Sequence, residues 1–172
     1  MNDYPSHILQ NQEYVQWRGY LLRFPWEWMV TLTFKDEVKF FTAQHCFKRW
    51  RLWLIREEKL RIAAYMLSSY KKGRIHLHAL LFGRNRFDKT LSDCSPRQWK
   101  DAWLHFGFAR ITPITDRYKA CDYLALHFLG FKSDYAEGDF YDNRLLKKEM
   151  WAQRDGLDGY DGPDGLRQLV IG

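Results

Sequence analysis

The chain has 172 residues, a length that suits one domain with an appended segment. At 46% hydrophobic and 28% charged it is excluded from the disordered class, and no apolar run approaches the ~18 residues of a membrane span. The net charge of +6 favours an anionic partner such as nucleic acid.

Residues 1–25 read as an N-terminal extension, in which Tyr14, Val15, Tyr20, Leu21 and Leu22 suit a short leading helix. From Trp26 the pattern turns to period two. Trp26, Trp28, Val30, Leu32 and Phe34 alternate with Glu27, Met29, Thr31 and Thr33, which predicts a strand. A helix follows over about 41–58, with Ala43, Phe47, Trp50 and Leu54 on one face. Two strands, about 62–69 and 74–82, are joined by Tyr70-Lys71-Lys72-Gly73, a hairpin connection.

Residues 85–94 are polar and read as loop. Ser95-Pro96-Arg97-Gln98 then offers an N-cap, a proline at the first helical position and a glutamine three residues after the cap. The helix it starts carries Trp99, Ala102, Trp103 and Phe106 at helical spacing, and Gly107 closes it. A fourth strand is predicted over about 108–114, with Pro113 marking its end or an edge position. A third helix runs from a cap at Thr115 or Asp116 to Gly130, with an apolar stripe of Cys121, Leu124, Ala125 and Phe128. Beyond it, Asp-Gly pairs begin at Asp155, Asp158, Asp161 and Asp164, a spacing that does not fit a calcium loop. Residues 133–172 therefore read as an acidic, Gly/Asp-rich C-terminal tail. The order β-α-β-β-α-β-α predicts an α+β fold, one antiparallel sheet of four to five strands with helices packed on it.

Charge follows this division. Residues 1–132 hold 22 Lys+Arg against 12 Asp+Glu, and residues 133–172 hold 5 against 9, so the basic character belongs to the folded part. Aromatics reach 17%, enough to fill a core and leave rings for stacking on bases. The 3 cysteines show no paired spacing, and the polar start lacks the apolar centre of a signal peptide; both lead us to expect an intracellular protein.

The chemistry gathers at His76-Leu77-His78. Side chains alternate along a strand, so the two imidazoles share one face and can share one divalent ion, while Ile75, Leu77 and Ala79 take the other. In its context this strand resembles the HUH superfamily of rolling-circle replication initiators, relaxases and single-tyrosine transposases, the initiators most closely. Thr31-Leu32-Thr33-Phe34 is similar to the family's first motif. Gly73-Arg74-Ile75-His76-Leu77-His78-Ala79-Leu80-Leu81 resembles its metal strand with the preceding turn. Ala120-Cys121-Asp122-Tyr123-Leu124-Ala125-Leu126-His127 resembles the helix that bears the nucleophilic tyrosine.

The resemblance implies an endonuclease domain over 26–132 with a ferredoxin-like, RRM-like core. It implies nicking and joining of single-stranded DNA through a 5′-phosphotyrosine, initiating rolling-circle replication of a plasmid, phage or small virus. Tyr123 would be the nucleophile, with Tyr118 as its rival, and His76 and His78 would hold Mn²⁺ or Mg²⁺. The partners implied are single-stranded DNA at an origin or hairpin and a separate host helicase, since the chain has no Gly-x-x-x-x-Gly-Lys loop. The setting would be the cytoplasm of a prokaryotic host, or the nucleus for a eukaryotic virus.

Two positions depart from the family pattern. Leu126 stands where many initiators have a lysine three residues after the tyrosine, and Ser68 where many have a glutamate ligand eight residues before the first histidine. His127 is a candidate for the third metal contact or for orienting the tyrosine or phosphate. Lys119, one turn before Tyr123, is a candidate for the missing positive charge. Lys48, Arg49, Lys71, Lys72, Arg74, Arg84 and Arg86 are candidates for phosphate contacts, which give affinity rather than sequence choice. The alternatives are a DNA-binding protein that keeps the HUH fold without cutting, a relaxase or transposase of the same superfamily, and a zinc-structured domain in which Cys121 joins the histidines.

Overall fold

A computed structural model describes residues 10–152. Helix α1 (Gln12–Leu21) leads into β1 (Trp28–Thr33), α2 (Phe40–Glu58) and the hairpin of β2 (Arg61–Lys71) and β3 (Arg74–Arg84). A 3-10 turn at Leu91–Asp93, α3 (Arg97–Asp101), β4 (Ala109–Pro113), α4 (Arg117–Phe128), β5 (Tyr135–Tyr141) and α5 (Asn143–Ala152) complete it. The strands form one antiparallel sheet in the order β4-β1-β3-β2-β5, an α+β fold with helices on both faces. Pro113 ends β4, an edge strand, where its missing N–H costs no ladder bond. Among the described residues no helix is long and apolar enough to cross a membrane.

Alternation along the strands divides the core in two. On one face Trp28, Val30, Leu32, Met66 and Leu77 meet Phe47, Trp50 and Leu54 of α2. On the other, Tyr65, Leu67, Leu80 and Phe82 meet α1 through Tyr14, Trp17 and Leu21, and α4 through Leu124, Ala125 and Phe128. Burying side chains of this size stabilises the fold by about 1.5–3 kcal/mol each, and removing one leaves a cavity in a close-packed interior.

The register fixes which residues share the histidine face. Thr31 and Leu67 flank His78, and Thr33 and Ser69 flank His76. Direct cross-strand partners lie on one face of the sheet.

Two expectations are revised. The helix begun at Arg97 ends at Asp101 rather than near Gly107, although Trp99 and Trp103 are both fully buried. Past Asp101 the chain continues in turns to Gly107, which lies against the Thr33 backbone. The sheet does not end before the boundary expected at 132. Strand β5 pairs with β2 from Tyr135 to Tyr141, but as an edge strand carrying Glu137, Gly138 and Asp139 it lacks the apolar alternation that announces a strand. Within the N-terminal stretch the expected short leading helix is present as α1, and Tyr14, Trp17, Leu21 and Phe24 seal the second core. The Asp-Gly pairs from 155 onward lie outside the described residues.

Candidate active site

Helix α4 is held in place at its first turn and at its middle. The Asp116 carboxylate accepts the Lys119 N–H at 3.0 Å and caps the first turn. The Tyr14 hydroxyl donates to Asp122 at 2.7 Å, and Arg18 lies 3.6 Å from the same carboxylate. With Leu124, Ala125 and Phe128 committed to the core, Tyr123 and His127, one helical turn apart, meet the histidine strand. The Tyr123 ring centre lies 5.3 Å from that of His78 and 4.5 Å from that of His127. His127 and His78 are 4.5 Å apart, and His76 stands 6.4 Å from His78 with the rings nearly parallel.

The imidazoles are held neutral. Burial, with the neighbouring His127 and His76, pulls His78 down to about 3. Burial and the charges of Lys132 and Lys71 pull His127 down to about 4. His76 is lowered by burial and by Arg74 and Lys71. Neutral rings keep the lone pairs that a divalent ion needs. His78 Nδ1 lies 3.3 Å from Thr31 Oγ1, and if Nδ1 donates there, the lone pair is on Nε2. The buried Nδ1 of His127 has no hydrogen-bond partner among the described residues. This donor set fits a divalent ion held by His76 and His78. Among the described residues no three His, Cys, Asp or Glu side chains are grouped to hold one, so further ligands would have to come from outside this set.

At position 68, where the resemblance implies a glutamate ligand, the side chain is turned away from the histidines. Ser68 pairs with Leu77, so it faces the opposite core, where its hydroxyl donates to the Met66 sulfur at 3.3 Å. The residue on the histidine face is Ser69. Cys121 is buried in the α4 stripe, burial raises its thiol to about 12, and among the described residues it is not grouped with two histidines to hold a metal ion.

The remaining candidates scatter. Lys71 and Arg74 lie close enough to act on the histidine charges, and Lys72 shares their turn, its backbone N–H donating to Asp134 at 3.1 Å. Arg84 and Arg86 are at the other end of the hairpin, six or more residues beyond His78, or about 20 Å along the strand. There Arg84 is paired with Glu27 at 3.1 Å and the Arg86 guanidinium covers Phe87. Lys48 and Arg49 belong to α2, across the sheet from Tyr123. Lys119 is exposed and 3.6 Å from Asp116, and Tyr118 is exposed near the helix start.

Leu126 is buried in the core, and the cation beside Tyr123 is Lys132, its ammonium 5.0 Å from the ring centre. Sequence reasoning missed Lys132 because it follows the helix in an aperiodic turn. Thr31 was visible as an alternating strand residue and in the first motif of the resemblance, but not as the partner of His78.

No curated protein and no solved structure matches the chain. One family model matches residues 27–128, a span that opens beside β1 and closes at the end of α4 and so takes in both histidines and Tyr123. With more than half of its length matched, the chain belongs to the ORF2 family of replication-associated proteins.

Proposed function

We propose that this replication-associated protein is a HUH-type endonuclease that nicks and rejoins single-stranded DNA, starting rolling-circle replication of a plasmid, phage or small virus. The observation that carries the reading is the closeness of one phenol to the histidine strand, with Tyr123 5.3 Å from His78 and 4.5 Å from His127, ring centre to ring centre. A metal ion on His76 and His78 would offset charge on a nonbridging phosphate oxygen.

The chain's own residues do the rest. The Tyr123 oxygen attacks phosphorus, its proton passes to solvent, and the bond from phosphorus to the 3′-oxygen breaks. That oxygen leaves as a 3′-hydroxyl after taking a proton from solvent, and the 5′-phosphate stays on the tyrosine. Lys132 offsets the negative charge on the phenol as its proton departs, and His127 holds the ring. Joining is the reverse attack by a 3′-hydroxyl, with the bond energy kept in the phosphotyrosine, so no nucleotide cofactor is required. Lys71, Lys72 and Arg74 are assigned to the DNA backbone. Unwinding falls to a separate helicase.

The test is a denaturing gel of the protein with single-stranded oligonucleotides and Mn²⁺. A covalent adduct that requires Tyr123 is the expected result, and Tyr123→Phe should abolish it while DNA binding persists. An adduct formed by the Phe variant would remove Tyr123 from the mechanism. A second reading, a DNA binder that does not cut, is favoured by one observation: the described residues hold no ready cluster of three metal ligands. Absence of any adduct alongside measurable DNA binding would select it.

A further inference from the structure

The histidine face of the sheet continues past β3. The His76 row runs through Thr33 of β1 to Phe108, whose carbonyl accepts the Thr33 N–H at 2.9 Å. The His78 row runs through Thr31 to Arg110 of β4. Ala109 and Ile111 are buried in the core under α2, so alternation turns Arg110 of β4, and Phe108 just before that strand and bonded to Thr33, to the histidine side. Two strand spacings, about 10 Å, separate them from the histidines.

Helix α4 packs on β2 and β3, and this outer lane is open. Phe108 is 64% exposed, Arg110 is exposed, and Thr31 and Thr33 are half-buried. Among the described residues Phe108 stacks on no other ring and Arg110 has no carboxylate partner. A flat, bare phenyl beside an uncommitted guanidinium, in line with a phosphate-cutting site, matches one ligand chemistry. It suits a planar base joined to a phosphate, with the base unpaired, because a duplex hides base faces inside its stack.

We infer that Phe108 and Arg110 form a platform for a nucleotide flanking the cut, the ring stacking on its base and the guanidinium holding its phosphate. This rests on the nicking reading above and adds the path of the strand: from the α4 side, over the histidines, and out across β1 to the β4 edge. Because every base has a stackable face, the platform grips without choosing sequence.

Fluorescence anisotropy with a labelled single-stranded oligonucleotide tests it, using Tyr123→Phe protein so that no covalent product forms. Phe108→Ala should weaken binding roughly five- to a hundredfold, and Phe108→Leu, which keeps apolar area but loses the ring face, should weaken it similarly. Phe108→Trp should bind as the parent does. Arg110→Gln should lower the dependence of binding on salt by about one counterion. Unchanged binding by Phe108→Ala, or loss of binding by Phe108→Trp in a protein that melts normally, overturns the platform. Adduct formation by the protein with Tyr123 intact is measured in parallel. Binding lost in Phe108→Ala with no adduct from the intact site would leave the platform standing and sink the nuclease. An adduct with unaffected Phe108→Ala binding would do the reverse.

Discussion

The Lys132 ammonium lies 5.0 Å from the centre of the Tyr123 ring, brought there by a turn that begins at Gly130 with φ 78°. A side chain at position 126 could not do this from within the core, where Leu126 is 1% exposed. A cation over a phenol ring favours the negative charge that forms as the proton leaves. Lys132→Met should slow adduct formation roughly tenfold, with the thermal midpoint unchanged, and Lys132→Arg should recover most of the rate. Single-turnover kinetics measure this; equal rates for Met and Lys would exclude Lys132 from the chemistry.

The contact of Thr31 Oγ1 with His78 Nδ1 orients the inner histidine. Groups of this kind fix the ring and its tautomer, and their loss typically costs ten- to a hundredfold in metal affinity. Thr31→Val keeps the shape and removes the hydroxyl. Its expected result is weaker Mn²⁺ binding by titration calorimetry in about that range, with little change in melting temperature without metal. Identical affinities would mean that His78 is held by packing alone.

How much of this was written in the chain can be judged residue by residue. The strand from Trp28, the hairpin around Gly73 and the helix of Tyr123 were legible because burial imposes strict periods on apolar residues. That the two histidines share one face was legible because a strand must put alternate residues on one side. Strand β5 was not, since an edge strand needs backbone pairing more than apolar alternation. Lys132 and Arg110 come to the site through a turn and a cross-strand register, neither of which leaves a local signal. Lys48 and Arg49 lie on α2, across the sheet from Tyr123, because charge alone does not say which face of the sheet a helix will cover.

Gly107 is held by contact. A Cβ there would overlap the Thr33 carbonyl oxygen and lie 2.9 Å from Phe34 Cα, both backbone atoms, and the same carbonyl accepts the Trp103 indole N–H at 3.0 Å. Neither neighbour can swing aside. Gly107→Ala should lower the melting temperature by roughly 3–10 °C and, by moving the strand that pairs Thr33 with His76, also slow adduct formation. Gly19, exposed on α1 with nothing within 4 Å of where a methyl would sit, is the control; Gly19→Ala should raise stability by up to about 1 kcal/mol. Calorimetric melts of the two variants separate close contact from a general glycine effect.

Glu58 ties the end of α2 to α3 and the loop before it. Its carboxylate accepts the Trp99 indole N–H at 2.6 Å and lies 3.6 Å from the Lys89 ammonium. Burial pushes this carboxyl up, but hydrogen bonds from Cys94 and Trp99 and the Lys89 charge outweigh it and hold the group below its ordinary value. The unfolded chain therefore takes up the proton first as pH falls. The stabilisation is complete above the ordinary glutamate range, near about 4.3, and is lost as pH drops through and below it. Glu58→Gln should melt below the parent near neutral pH, and the gap should close as pH falls below the ordinary glutamate range and the parent's carboxylate is neutralised. A gap that stayed constant across that range would show that the carboxylate charge contributes nothing and that the amide's shape accounts for the difference.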